Sequence, residues 1–369
     1  MNTVALVFLV SSVRDSFLLA GIASSFYTLA GAIVGPRIGR LADLHGTRVV
    51  LIPIALINAI SILAIIYFSE RYVPLLLLFA ALAGATMPGF GSYTRARWSR
   101  TIEDKKDLDT ALSLESVFDE TAFVVGPALA GFLFSLYGSN SPLFAGVVFM
   151  TIGAVGLGLT SIDHGGSKRA NEVHGGLLKI PRIKGLLASL VAMGMLFGSN
   201  FVVILAVAKE YDRAAEGGLW VGLYPLGSIV AGLVYGFIHW KSSNAIRYTI
   251  ALSFMTLATS TILIFQDIDT LVYLLVLSGV AIAPALIAAN ALMKELVPLP
   301  RLTEAFALIG AALSIGITLG STLSGLIVDE FGGWSGFSFM TGAMILATLL
   351  STLIIRPKEM PEEKIKVGE

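Results

Sequence analysis

Of the 25 basic and 25 acidic residues, three fall well inside long apolar stretches. They are Glu115, Asp119 and Glu120, and all three lie in one stretch, residues 111–136. A carboxylate near the centre of a bilayer costs about 2.5–3.5 kcal/mol on insertion scales, so it must be paired, protonated or turned to water. Glu115 and Asp119 are four apart and share a helix face, while Glu120 is turned about 100° away. With Asp109 as the helix cap, Glu115 lies roughly 9 Å and Asp119 roughly 15 Å into the helix. Crowded carboxylates resist ionising together, which suits a site that binds and releases protons. The plainer alternative is an ion-pair cluster. Arg95 and Arg97, in Tyr93-Thr94-Arg95-Ala96-Arg97-Trp98, reach Glu115, and that pairing is the expectation for Glu115. For Asp119, proton coupling, ion pairing and substrate contact all stay open, and Glu120 joins the same group of intramembrane charges.

The elements that position these groups follow from composition. The chain is 56% hydrophobic and 14% charged, against about a quarter charged in soluble domains. That excludes most soluble enzymes and disordered chains. With no net charge, nothing steers it to nucleic acid. There is no cysteine, hence no disulfide framework or thiolate metal site. Four scattered histidines give no metal cluster, and no phosphate-binding Walker loop or other cofactor motif is present. No nucleophile–histidine constellation lies in the apolar stretches, so an enzyme is not expected.

A spanning helix needs about 20 apolar residues. Eleven stretches qualify: 16–36, 49–68, 73–94, 111–136, 142–161, 185–208, 217–239, 248–266, 270–293, 305–328 and 333–355. Ahead of them, Thr3 to Val13 is apolar but reaches only about half way across at about 1.5 Å per residue. It reads as the second half of a first helix that begins upstream, so the stretches are helices 2 to 12. The expected fold is an all-α membrane protein of twelve helices, eleven complete and the first partial. Lys and Arg then divide sharply. The loops after even-numbered helices and the C-terminal tail hold 21 of the 25, which places those loops and the C-terminus in the cytoplasm.

Two halves are expected, 1–162 and 185–356, joined by a glycine-bearing linker at 163–184 and followed by a cytoplasmic tail at 357–369. They repeat in sequence. A shift of 194 carries Leu108, Ala111, Gly126, Leu129, Gly131 and Gly138 onto Leu302, Ala305, Gly320, Leu323, Gly325 and Gly332. A shift of 197 carries Tyr27, Gly35 and Gly39 onto Tyr224, Gly232 and Gly236. Two parallel six-helix repeats point to a transporter with a midplane site between its halves.

Helix 2 ends in Gly39-Arg40-Leu41-Ala42-Asp43-Leu44-His45-Gly46-Thr47-Arg48. This resembles the signature loop between helices 2 and 3 of the major facilitator superfamily, although Leu44 and Val49 stand where basic residues are usual. Gly39 and Gly46 permit close packing and a tight turn. Asp43 suits the N-terminus of a neighbouring helix, where free amides and the dipole favour an anion. The resemblance implies that this partner is helix 11, at Thr303 to Phe306, and that the contact latches the outward-facing state; the alternative is a merely charged turn. The matching loop, Gly236-Phe237-Ile238-His239-Trp240-Lys241, lacks the aspartate, so one latch is expected. Gly126-Pro127-Ala128-Leu129-Ala130-Gly131 resembles the end of the helix 5 motif of proton-coupled exporters, without its upstream glycines; a packing kink is the alternative.

Tyr27, Asn58, Asn200, Tyr224 and Asn290 are candidates to line a central cavity, though such residues often only bond between helices. Met87-Pro88-Gly89 and Ala283-Pro284-Ala285 occupy corresponding places and are candidate flexing points. The resemblance implies a monomeric secondary transporter of the cell membrane, working by alternating access. Its expected partners are protons, the lipid bilayer and a small amphipathic substrate that leaves the cell. Uptake of a sugar, organic acid or amino acid, and a non-transporting protein of the same fold, are the alternatives.

Overall fold

The computed structural model describes residues 1–160, 176–238 and 240–355, and all of its regular structure there is helical. Helix 1 spans Asn2–Arg14, helix 2 Phe17–His45, helix 3 Thr47–Phe68, helix 5 Lys105–Tyr137 and helix 6 Ser141–Thr160. Helix 4 runs in two segments, Val73–Ala85 and Phe90–Thr101. In the second half, helix 7 spans Pro181–Glu210, helix 8 Ala214–Phe237, helix 9 Asn244–Phe265, helix 11 Leu302–Phe331 and helix 12 Gly333–Ile355. Helix 10 is also split, into Ile268–Gly279 and Ile282–Leu296. Eleven of these helices are long and apolar enough to cross a membrane, and Asn2–Arg14 is the short one.

The boundaries have local causes. Ser16, Ser243 and Asp267 cap helices 2, 9 and 10 by accepting from the amides of Leu19, Ile246 and Thr270. Helix 5 starts earlier than the sequence suggests. Asp104, not Asp109, is its cap, accepting from Lys106 N at 2.9 Å and Asp107 N at 3.0 Å. Asp109 is thereby an interior residue, and Asp119 lies about 22 Å from the cap rather than 15 Å. Helix 7 begins at Pro181, where a missing N–H is harmless, after a single 3-10 turn at Leu177–Lys179. The rest of the expected linker, 163–175, and the tail at 357–369 lie outside the described residues.

Helix 4 breaks at the expected Met87-Pro88-Gly89. Helix 10 breaks just before its proline, so Pro284 sits in the first turn of the second segment, a position proline tolerates. The two breaks share a neighbour of one kind. Gly84 packs on the Tyr27 carbonyl and Gly279 on the Tyr224 carbonyl. Tyr27 and Tyr224 are repeat equivalents, so the same glycine-on-backbone contact occurs in each half.

Helices 7 and 11 lie backbone to backbone. Gly194 and Gly198 face the carbonyls of Leu313 and Ile317, while Gly316 and Gly320 face those of Val191 and Met195. Ser199 adds a hydrogen bond to the Gly320 carbonyl at 3.1 Å. In lipid, where no hydrophobic force drives helices together, such close approach supplies the packing. Gly198→Val is therefore expected to separate the pair. Thermal unfolding in detergent should show a melting temperature lowered by about 5 °C or more, from overpacking of about 1–3 kcal/mol.

Candidate functional site

The two halves are joined at the end of the bundle that bears the helix 2–3 and helix 8–9 loops, called here the basic end. Helix 11 begins at Leu302 with no capping side chain of its own. Asp43, from the other half, takes that place. Its carboxylate accepts from Thr303 N at 3.2 Å and Glu304 N at 3.0 Å. These are amides that a helix leaves without intrahelical partners, at its positive end. Arg100, from the end of helix 4, donates to the same carboxylate at 2.5 Å and reaches the Leu299 carbonyl at 3.3 Å. The Asp43 side chain is wholly buried.

Only a residue without a side chain fits one turn earlier on helix 2. A Cβ on Gly39 would stand 2.8 Å from the Thr303 carbonyl oxygen and 3.1 Å from Glu304 Cα. Gly46 closes helix 2 with φ +95°, a conformation that glycine adopts without strain. Arg40 and Arg48 are exposed and make no ion pair among the described residues. The structure thus brings Gly39, Asp43 and helix 11 together and leaves both arginines to solvent.

The second half lacks the aspartate, yet its junction is not bare. At the equivalent seam, Gly236 packs on Ser113, and Thr110 donates to the Gly236 carbonyl at 3.0 Å. Arg247, at the start of helix 9, pairs with Asp109 of helix 5 at 3.0 Å. Their side chains are only 2% and 7% exposed. Arg247 also donates to the Tyr235 hydroxyl at 2.8 Å and to Asn244, and it lies over the Tyr235 and Trp240 rings. Asn244 in turn binds Glu295 at 2.6 Å. The polarity is reversed here, with the acid on helix 5 and the cation across the seam. Asp109 is the repeat equivalent of Thr303, so the two junctions involve matching positions with different chemistry. Arg100, Asp109, Tyr235 and Arg247 were not among the sequence candidates; the shift of 194, which carries Asp109 onto Thr303, was the available signal.

The intramembrane carboxylates separate into two environments. Arg95 donates to Asp119 and forms an ion pair with Glu115 at 3.9 Å, and the Thr94 hydroxyl also bonds Glu115. Arg97 forms no ion pair among the described residues. Glu115 is buried, whereas the Asp119 side chain is 56% exposed. Glu120 has no ion-pair partner among the described residues. Its hydrogen-bond partner is Ser228 of helix 8, whose hydroxyl donates at 3.2 Å and accepts from Ala283 N at 3.1 Å.

The cavity candidates are all buried. Asn58 donates to the Ala83 carbonyl at 2.6 Å, so it ties helix 3 to helix 4 and does not line an open space in this conformation. Tyr27 and Tyr224 pack in the cores of their own halves. Asn290 bonds the Leu286 carbonyl of its own helix, and the side-chain oxygens of Asn200 and Asn290 have no hydrogen-bond partner among the described residues. In the helix 5 motif, the helix continues through Pro127, Gly126 faces Met1 just ahead of helix 1, and Gly131 has open space around it. No group of three metal-ligating side chains occurs among the described residues.

A family model described as the Major Facilitator Superfamily matches residues 1–202 and again residues 185–369. Among curated proteins, macrolide efflux protein A of Streptococcus pyogenes is 22% identical over 364 residues, covering 93% of this chain and 88% of that protein. Solved structures of similar fold include a bacterial homologue of the iron transporter ferroportin in an outward-facing state. It has a TM-score of 0.72 at 15% identity, covering 96% of this chain and 97% of that one. The E. coli fucose:proton symporter has a TM-score of 0.68 at 11% identity, covering 96% of each chain. At such identities the structural likeness speaks for the fold alone.

Proposed function

Because this multi-pass membrane chain belongs to the major facilitator superfamily of transporters, we propose that it exports a small amphipathic molecule from the cell in exchange for protons, by alternating access. The observation that carries the reading is the pair of junctions across the halves. Asp43 caps a helix that belongs to the other half, and Asp109 pairs with Arg247 across the equivalent seam. Both contacts join rigid six-helix units at one end, so breaking them opens that end without unfolding either unit. By the distribution of basic residues, that end faces the cytoplasm and the conformation is outward-facing. Export is favoured by the similarity to a macrolide efflux protein and by the glycine–proline segment of helix 5.

Transport by everted membrane vesicles tests direction and driving force together. With an interior-acid pH gradient, vesicles bearing the protein are expected to accumulate a radiolabelled macrolide, and to lose it when a protonophore collapses the gradient. Accumulation of a labelled sugar, organic acid or amino acid by right-side-out vesicles, with no macrolide movement in everted ones, would reverse the direction to uptake.

A further inference from the structure

We infer that Glu120 is the proton-carrying group of the cycle, and that its site is the seam where helix 5 meets helix 8 and the second segment of helix 10. This inference rests on the proton-coupled reading above. Two observations separate Glu120 from its neighbours. Arg95 engages both Glu115 and Asp119, so their negative charge is already balanced. Glu120 is turned away from that arginine, and the group facing it is the neutral Ser228 hydroxyl of the opposite half.

The surroundings set the preferred protonation state of each conformation. From its own helix, Asp119 is adjacent in sequence and carries the charge already bound to Arg95. From helix 8 come Ser228 and, one turn earlier, the buried Tyr224 phenol. Helix 10 contributes the Ala283 amide, which Ser228 already accepts; its ionisable Lys294 and Glu295 lie about three turns further on. Of the other elements packed on helix 5, helix 4 brings Arg95, which is held by Glu115 and Asp119, and the start of helix 1 brings the Met1 amino group, which lies beside Gly126 about two turns further on; among the described residues no cation pairs with Glu120. An ionised carboxylate with one hydroxyl donor and no counter-charge is a poor fit to this half-buried seam. A neutral carboxyl fits it. When the basic end opens, helices 5 and 8 part and water reaches the group, and the ionised form is then the better solvated. Proton occupancy and seam closure are thereby linked, as reciprocal binding requires. The proton is taken up while the seam is shut and lost to the side on which the basic end opens. Asp119 does not have this property, because its partner Arg95 sits in the same half and moves with it.

The test uses the full chain, in which cysteines placed at Val49 and Ile246 are the sole thiols. These exposed positions begin helices 3 and 9 at the basic end. Spin labels there report the width of that end in lipid nanodiscs. The expected result for the parent is a shift from short to long distances as pH rises, by up to about tenfold in population ratio per pH unit for one proton. In Glu120→Gln the short-distance population should persist at every pH, and in Asp119→Asn the titration should survive. Glu120→Asp, which keeps a titrating group, should restore the pH dependence if Glu120→Gln folds poorly. A Glu120→Gln protein that titrates like the parent, or an Asp119→Asn protein that does not titrate, overturns the assignment. A parent with two distance populations but no pH dependence also overturns it, and takes proton coupling with it while leaving alternating access in place. A single population under all conditions removes alternating access itself.

Discussion

Gly39→Ala is expected to shift the transporter towards the state open at its basic end while leaving the fold intact. The added methyl would stand 2.8 Å from the Thr303 carbonyl oxygen, 3.0 Å from its carbon and 3.1 Å from Glu304 Cα. All three are backbone atoms, so no side chain can swing aside. Overpacking of this kind costs about 1–3 kcal/mol, and every 1.4 kcal/mol is about tenfold in an equilibrium. The closed-to-open ratio should therefore fall by roughly ten- to a hundredfold, since the clash exists only where helix 2 touches helix 11. The spin-label distance between cysteines at Val49 and Ile246, compared between parent and variant, measures the change, and an unchanged melting temperature separates it from misfolding. Equal distance distributions in the two proteins would mean that helices 2 and 11 do not need to meet.

Removing Arg247 is expected to have the larger effect at the seam between helices 5, 8 and 9. Its partner Asp109 is almost fully buried, and an ion pair in such a place gives little net stability over apolar groups. Losing one partner is different, because the other charge is stranded; breaking a buried pair costs about 3–5 kcal/mol. Arg247→Gln should thus open the basic end more than Asp43→Asn does, since the one side-chain oxygen left at position 43 still accepts from one of the Thr303 and Glu304 amides, which bind separate carboxylate oxygens in the parent. The double variant Asp109→Asn with Arg247→Gln strands no charge and is expected to recover much of the loss. A double-mutant cycle on the closed-to-open ratio reads this directly. Additive single effects would show that the pair is not a unit.

Much of this architecture was legible because a bilayer constrains the chain so tightly. Every spanning stretch had to be apolar and about 20 residues long, so eleven helices could be placed from hydropathy alone. The Asp43 turn was legible for a similar reason: glycine, aspartate and glycine at fixed spacing leave few geometries open. The Asp109–Arg247 pair was harder to read. Asp109 looks like a helix cap because it precedes an apolar run, and only the fold shows that Asp104 does the capping and frees Asp109 to face the other half. Arg247 looks like one more basic residue at a loop. Its role depends on Tyr235, Asn244 and Trp240 gathering around it, which no local pattern encodes.

The three carboxylates illustrate the same boundary. Helical spacing correctly set Glu120 apart from Glu115 and Asp119, but it could not say which of them Arg95 would hold. Arg95 lies on the second segment of helix 4, after the break at Met87-Pro88-Gly89, and its reach depends on how that segment is aimed. Asn58 is a comparable case. A polar side chain in an apolar helix reads equally well as a cavity residue or as a tie between helices, and here the Ala83 carbonyl takes its amide.

One measurement bears most directly on the proposal that the two junctions lock the outward-facing state. Spin-label pairs are placed at both ends of the bundle: Val49→Cys with Ile246→Cys at the basic end, and Tyr72→Cys, just before helix 4, with Phe265→Cys, the last residue of helix 9, at the other. All four positions are exposed, and the parent chain has no cysteine. When Asp43→Asn and Arg247→Gln are combined, the basic-end distance should lengthen while the opposite-end distance shortens, in matching proportions of molecules. Lengthening at the basic end with no reciprocal change at the other would show that the junctions merely hold the two halves together, and would contradict alternating access through them.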